Sequence, residues 1–482
     1  MGGARAANPV ARDKRRRRPP VGLKTVYPRS GVGARSSVDP YWGYEVALGV
    51  VLAYAVAVVV LYRSGRVGPE RTFSLLGPAL MIKTRRGRDA IDRWGRFRRF
   101  WTAAGDLGIA LAVISMALIV GTLLLEAALA FRVSAANAPT VQEAIGLPGI
   151  NPFIPIGYGI LALVIGVVLH ELAHGIIARS QGIGVKSLGV LWCVVPVGAF
   201  VEQDDADMMA APRRKRDRVA AAGILANLAI AVVFFVVLAA LVTTSVAPNA
   251  NGVGIAAVSA GSPAANLTLA PGDILLAVNG TNLTTVALFE STLAHTVPHE
   301  NVSVVYYSAA LGRVVSTRVR LAPSPTVAGR GFLGVLPSYL TPAELEQTLV
   351  SPLGASDGPL VGALYWISLP LAGLEPIGGT TTQYYHLTGP LAGANPAAFW
   401  VGANILYWIS WMSLLLGLSN ALPLVPLDGG LLFRDFAASV AARFRRGWSE
   451  NRLEEFGGRA VAVSSVAILV LLAWQFIVPR LF

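Results

Sequence analysis

Hydrophobic positions in this chain gather into long runs separated by polar and basic stretches. Six runs, near residues 44–62, 104–131, 153–180, 219–246, 397–425 and 459–478, are long enough to cross a hydrocarbon core of about 30 Å as helices. Between the fourth and fifth the pattern changes. From about Gly252 to Leu321 short β-branched runs alternate with turn residues, and Val302 to Tyr307 and Val314 to Leu321 alternate as paired strands should. That region predicts a small soluble β-rich domain inserted between helices. Residues 358–379 are apolar but broken by Pro370, Glu375, Pro376 and pairs of glycines, which suits an interfacial or re-entrant segment better than a full span.

Composition places these runs in a membrane. Hydrophobic residues are 54% of the 482, charged residues 14%, and the mean hydropathy is +0.58, a balance foreign to a globule with a charged water-facing surface. The expected fold is mainly α, a polytopic transmembrane bundle of about six spans carrying the β-rich insert. The formal charge of +13 sits chiefly in residues 1–35, 63–99, 213–218 and 443–459. Basic clusters beside apolar spans read as cytoplasmic loops facing anionic lipid, and no folded soluble domain carries the charge as a nucleic-acid binder would. Six spans place the Arg-rich N-terminus outside, against that rule, so either the first run does not cross or the rule fails there. Residues 1–40 read as a disordered basic tail without the apolar core of a cleavable signal. Cys193 is the sole cysteine, which excludes an intramolecular disulfide and a Cys-rich zinc site.

Chemistry concentrates in the third run. In VLHELAHGI, His170 and His174 stand one helical turn apart on one face, where two imidazoles can grip one tetrahedral Zn²⁺. Glu171, beside the first of them, is placed to act as general base toward water. Charged groups at mid-bilayer cost about 2.5–3.5 kcal/mol or more and are seldom idle, although two histidines bonded to neighbouring helices would leave the same trace. Zinc needs a third protein ligand. Asp428 is the favoured candidate: it follows Pro423 and Pro426 at the end of the fifth run, where prolines free backbone and Gly429 and Gly430 allow a tight turn. Its bland reading is a cap on the next helix. Glu202, Asp204, Asp205 and Asp207 form a rival pool, read as a solvated loop.

The pairing of His-Glu-x-x-His in one span with Asn-x-x-Pro-x-x-x-x-Asp-Gly in a later one, here His170 to His174 and Asn420 to Gly429, resembles the site-2 proteases from about residue 150 onward. Gly223 and Asn227 match a third motif of that family, Gly-x-x-x-Asn. The resemblance implies that Asn227 and Asn420 position the substrate strand, though an Asn in an apolar span can also simply bridge helices. It implies that residues 189–205 form a membrane-associated β-hairpin pairing with unwound substrate. The run 254–283, with its Gly-Ser-Pro-Ala turn, Gly272-Asp273 and Asn279-Gly280, resembles a PDZ domain. Sequons at Asn266, Asn279, Asn282 and Asn301 all fall in it, which hints at an extracytoplasmic face, although Asn and Thr are also common turn residues.

These readings divide the chain into the tail (1–40), an accessory transmembrane region (41–132), a first core part (133–248), the PDZ-like domain (249–325), a connector (326–396) and a second core part (397–482). The implied function is zinc-dependent hydrolysis of peptide bonds within transmembrane segments of single-span membrane proteins, in regulated intramembrane proteolysis at the cell membrane. Two other readings stay open on the residues alone: a metal-ion transporter, since buried His, Glu and Asp also mark ion paths, and a non-catalytic PDZ scaffold.

Overall fold

A computed structural model describes residues 42–68, 71–338, 341–347, 358, 366, 368–369 and 377–481. The expected basic tail and most of the expected re-entrant segment lie outside the described residues. The chain divides at Arg63 into two units. The first contains helix α1 (Trp42–Arg63), which covers the first apolar run.

The second unit starts with a hairpin, β1 (Phe73–Leu76) and β2 (Ala79–Thr84), followed by α2 (Arg88–Gly95) and α3 (Arg98–Leu129). Next come α4 (Val141–Ala144) and α5 (Ile156–Gln181), a second hairpin of β3 (Val185–Cys193) and β4 (Val195–Gln203), α6 (Asp205–Ala210) and α7 (Arg213–Ser245). A β-rich insert comprises β5 (Val246–Pro248), β6 (Val253–Val258), α8 (Pro263–Asn266), β7 (Ile274–Val278), β8 (Thr281–Asn282), α9 (Val286–Ala294), β9 (Asn301–Ser308) and β10 (Arg313–Arg320). It continues through β11 (Ala322–Pro323), β12 (Gly331–Phe332), β13 (Val335–Pro337) and α10 (Pro342–Leu345). After β14 (Tyr385–Leu387) the chain returns to helix as α11 (Pro396–Asn420), α12 (Asp428–Phe444) and α13 (Glu450–Leu481).

Among the described residues, five helices are long and apolar enough to cross a membrane: α3, α5, α7, α11 and α13. They match the second to sixth runs read from the sequence. Their ends follow local chemistry. Asn395 accepts hydrogen bonds from the amides of Ala397 and Ala398, with Pro396 in the first turn of α11, where a missing N–H costs nothing.

Helices without polar faces associate in lipid by close packing of small residues. Gly108 of α3 is so near α7 that a Cβ would stand 3.3 Å from the Ala221 carbonyl. Helices α5, α7 and α11 share a core in which Ala162, Leu238, Tyr407, Trp408 and Trp411 are buried. Charged ends tie the same helices: Asp106 of α3 accepts from Arg218 of α7 at 2.8 Å, and Arg216 of α7 bridges Asp435 of α12 and Glu454 of α13 at 3.0 and 2.7 Å.

The expected hairpin forms and is part of something larger. Strands β1 to β4 make one antiparallel sheet in that order, with Leu80 opposite Trp192 and Ile82 opposite Val190. The stretch 63–99, read from sequence as a basic loop, thus supplies half of a sheet. Strand β4 lies at its edge.

In the insert, the sheet runs β10-β9-β7-β6-β13, with β8 on β7, so it takes in residues beyond the expected limit at 325. Val253, Ile255, Leu275, Val302, Val304 and Leu333 fill its core. Buried Asp273 accepts from the Ala270 and Ala309 amides at 2.9 and 2.8 Å, fixing the turn before β7. Pairing of β5 with β14 joins the two connections to the helices.

Candidate active site

Helix α5 carries His170 and His174 inward, each 7% exposed. Their Nε2 atoms face each other at 3.1 Å. The third group arrives from the far end of the chain. After α11 ends at Asn420, residues 421–427 fold back across the start of α12, so that a Cβ at Gly429 would lie 2.3 Å from the Ala421 carbonyl and one at Gly430 2.6 Å from that of Leu424. Only glycine fits there, and Asp428 beside it is aimed at the histidines. Its Oδ2 is 3.3 Å from both Nε2 atoms.

A metal fits this trio better than a hydrogen-bond cluster does. Although close to both imidazoles, the buried Asp428 Oδ2 is in hydrogen-bond geometry with neither. Three lone-pair atoms converge on a shared centre, which leaves them mutually repelling unless a cation lies between. Donors around a tetrahedral ion with bonds of about 2.0–2.1 Å stand about 3.3 Å apart, close to the 3.1, 3.3 and 3.3 Å found here. Two imidazole nitrogens and one carboxylate oxygen, with a fourth position left for water or substrate, is a catalytic zinc donor set. Among the described residues this is the one cluster of three or more such groups able to hold a metal.

The far sides of the imidazoles are held as well. The Nδ1 of His174 lies 2.7 Å from the Val219 carbonyl, so it donates its proton there and leaves Nε2 free as a ligand. The Nδ1 of His170 lies 3.1 Å from the Asn227 amide. Gly223, one turn before Asn227, clears room for the ring: a Cβ there would meet His170 Cε1 at 2.3 Å.

Glu171 and both histidines line a cavity of about 300 Å³ together with Asn420 and Asp428. The Glu171 Oε2 accepts a hydrogen bond from the Val201 amide at 3.0 Å. That amide points away from β3, so the free edge of β4 faces the candidate base. The cavity also reaches Arg216, Asp217, Arg434 and Asp435 at the charged helix ends.

Of the rival carboxylates, Asp205 is exposed to solvent and the others are engaged elsewhere. Glu202 accepts from Ser187 at 2.5 Å and from Lys83 at 2.9 Å. Its burial works to raise the carboxyl pKa, but the Ser187 hydroxyl and Lys83 ammonium hold it below the ordinary range. Asp204 caps α6 through the Ala206 and Asp207 amides, and Asp207 accepts from the Gly184 amide. Sequence reasoning missed the Val201 amide, since a backbone donor has no residue signature. It also missed the Arg216–Asp435–Glu454 network, whose basic member was legible only as a topology signal.

A profile of peptidase family M50 matches residues 158–464. An uncharacterised protein of Methanocaldococcus jannaschii is 26% identical over 380 residues, 76% of this chain and 80% of that one. A Nostoc sp. protein named as a "putative zinc metalloprotease" is 28% identical over 57% of this chain and 83% of its own length. The metalloprotease MmpA of Caulobacter vibrioides is 23% identical over 66% of this chain and 93% of its own length. Among solved structures, the PDZ domain of an SdrC-like protein from Listeria monocytogenes is 18% identical and covers 18% of this chain and 88% of that domain, with a TM-score of 0.17. With the family profile spanning well over half of its residues, and the His-His-Asp trio within the matched segment, this multi-pass membrane chain belongs to peptidase family M50, the metalloproteases of the site-2 type.

Proposed function

We propose that this chain is an intramembrane zinc metalloendopeptidase that cuts peptide bonds in the transmembrane segments of single-span membrane proteins, in regulated intramembrane proteolysis. The observation that carries the reading is the convergence of His170, His174 and Asp428 with Glu171 at the free edge of β4. His170, His174 and Asp428 would hold the ion. Bound there, zinc would polarise the scissile carbonyl and make water acidic enough to lose a proton near neutral pH.

The chain's own residues do the rest. A peptide bond inside a substrate helix is hydrogen-bonded and shielded, and in lipid each backbone group freed by unwinding costs several kcal/mol unless it finds a partner. The outer edge of β4 offers such partners to an extended strand, and the Val201 amide marks where that strand passes Glu171. Glu171 then takes a proton from the attacking water and returns it to the leaving amine. Asn420, in the cavity wall, is the residue placed to hold the substrate strand.

In the same reading residues 133–248 and 397–482 form the two core parts, with 41–132 accessory and 326–396 connecting. The β-rich insert is a PDZ-like domain on the extracytoplasmic side of the cell membrane, where it screens or docks substrates before they enter. Basic ends of α7 and α12 then face the cytoplasm, in line with the retention of Lys and Arg on that side.

The test is Glu171→Gln in the purified chain, reconstituted in lipid with a tagged single-span substrate. Cleavage should fall by about 10²–10⁴-fold or more while zinc stays near one per chain. Undiminished cleavage in that variant would remove Glu171 from the mechanism, and no cleavage by the zinc-loaded native chain would remove the protease reading.

A further inference from the structure

Three polar atoms near the centre are buried without a hydrogen-bond partner: Asp428 Oδ2, Asn227 Oδ1 and Ser413 Oγ. The first is explained by a metal. The other two lie behind it, and Asn227 Oδ1 points to a job for Asn227 that differs from touching substrate.

If Nε2 of His170 is a metal ligand it carries no hydrogen, so the neutral ring has its one hydrogen on Nδ1. That atom then needs an acceptor. The atom found 3.1 Å away is Asn227 Nδ2, another donor. A half-turn of the amide about its terminal torsion exchanges its nitrogen and oxygen in space, which sets Oδ1 against the imidazole N–H and sends Nδ2 to where Oδ1 stood. On that side lies Ser413 of α11. Its hydroxyl and Asn227 Oδ1 both press on Gly166 of α5, at 3.4 and 3.9 Å from where a Cβ would be. The partnerless Asn227 Oδ1 thereby gains the imidazole N–H.

We propose that Asn227 is a positioning residue of the metal centre: it accepts the Nδ1–H of His170 and fixes the ligating tautomer. The proposal rests on the zinc reading of the His-His-Asp trio. It parallels His174, whose Nδ1 is fixed by the Val219 carbonyl. Gly223 belongs to the same device, because the ring can lie against α7 only where no Cβ intrudes. A substrate contact fits Asn227 less well. It is 1% exposed, it sits behind His170, and a peptide would have to displace that ring to reach it.

The experiment compares the full chain in detergent with Asn227→Leu and Asn227→Asp. Zinc affinity is read by competition with a chelator, and ligand geometry by the electronic spectrum of the Co²⁺-substituted protein. Leucine fills the space without accepting a hydrogen bond and should weaken zinc binding by about 10–100-fold. Aspartate keeps an acceptor and should bind zinc at least as tightly as the native chain, with the native Co²⁺ spectrum. Native affinity in Asn227→Leu would overturn the proposal, as would equal losses in the leucine and aspartate variants, which would reduce Asn227 to helix packing. A native chain that binds no zinc would instead overturn the metal centre itself.

Discussion

At the residue scale, the behaviour of Gly223 shows how the site reverses an ordinary rule. Replacing glycine by alanine inside a helix normally stabilises it by about 1 kcal/mol. Here the added Cβ would stand 2.3 Å from Cε1 and 2.5 Å from both nitrogens of His170, and a ring that also held the proposed metal would have nowhere to go. The clash outweighs the propensity gain. Gly223→Ala should therefore lower zinc affinity by about 10–100-fold and reduce the thermal midpoint of the zinc-loaded chain. A rise in midpoint with native zinc affinity would show that the ring has slack.

At the scale of elements, the sheet edge at the site depends on strands far away in sequence. Lys83 of β2 reaches across β3 to Glu202 of β4 at 2.9 Å, and Ile91, Val185 and Val201 form a small core beneath. Because the folded chain holds the Glu202 carboxyl below its ordinary pKa, its bonds contribute above the usual carboxylate value of about 4.3 and are lost as pH falls through the folded value. Lys83→Met should then speed amide exchange along 185–203 at neutral pH. At a pH below the folded value of Glu202 the native chain should exchange as the variant does. Equal exchange in the two proteins at neutral pH would contradict this coupling.

The same sheet marks where the sequence was readable. Long apolar runs announce helices because every residue in them contributes to the signal: α5 spans Ile156–Gln181 against an expected 153–180, whereas α11 stops at Asn420, short of the expected 425, where Pro423 follows. The hairpin of β3 and β4 was legible through resemblance. The strands β1 and β2 were not: Phe73–Leu76 and Ala79–Thr84 are short apolar pieces within a basic stretch, and cross-strand pairing with residues more than a hundred positions later leaves no local trace.

Across the whole molecule, the central fact is a meeting of α5 and the start of α12, parts of the chain more than 250 residues apart. The His-His-Asp trio could be named from sequence because the spacing of His170 and His174 dictates one shared face and Asp428 is the only carboxylate in residues 420–430. What supports the trio could not. The Asn227–His170 contact and the Arg216 bridge to Asp435 and Glu454 exist only once α7 is packed against its neighbouring helices, and the Val201 amide meets Glu171 only once β4 packs on α5. A metal held by this trio would couple to the fold, since the ion would bind the assembled bundle and not the separated helices. Zinc X-ray absorption on the purified full chain and on Asp428→Ala tests that meeting most directly. The native chain should hold one zinc with two imidazole nitrogens at about 2.0–2.1 Å and a carboxylate oxygen at about 2.0–2.2 Å, and the variant should lose that oxygen and most of its zinc. A native chain without zinc, or one whose zinc keeps the same ligands after Asp428 is removed, would contradict the account.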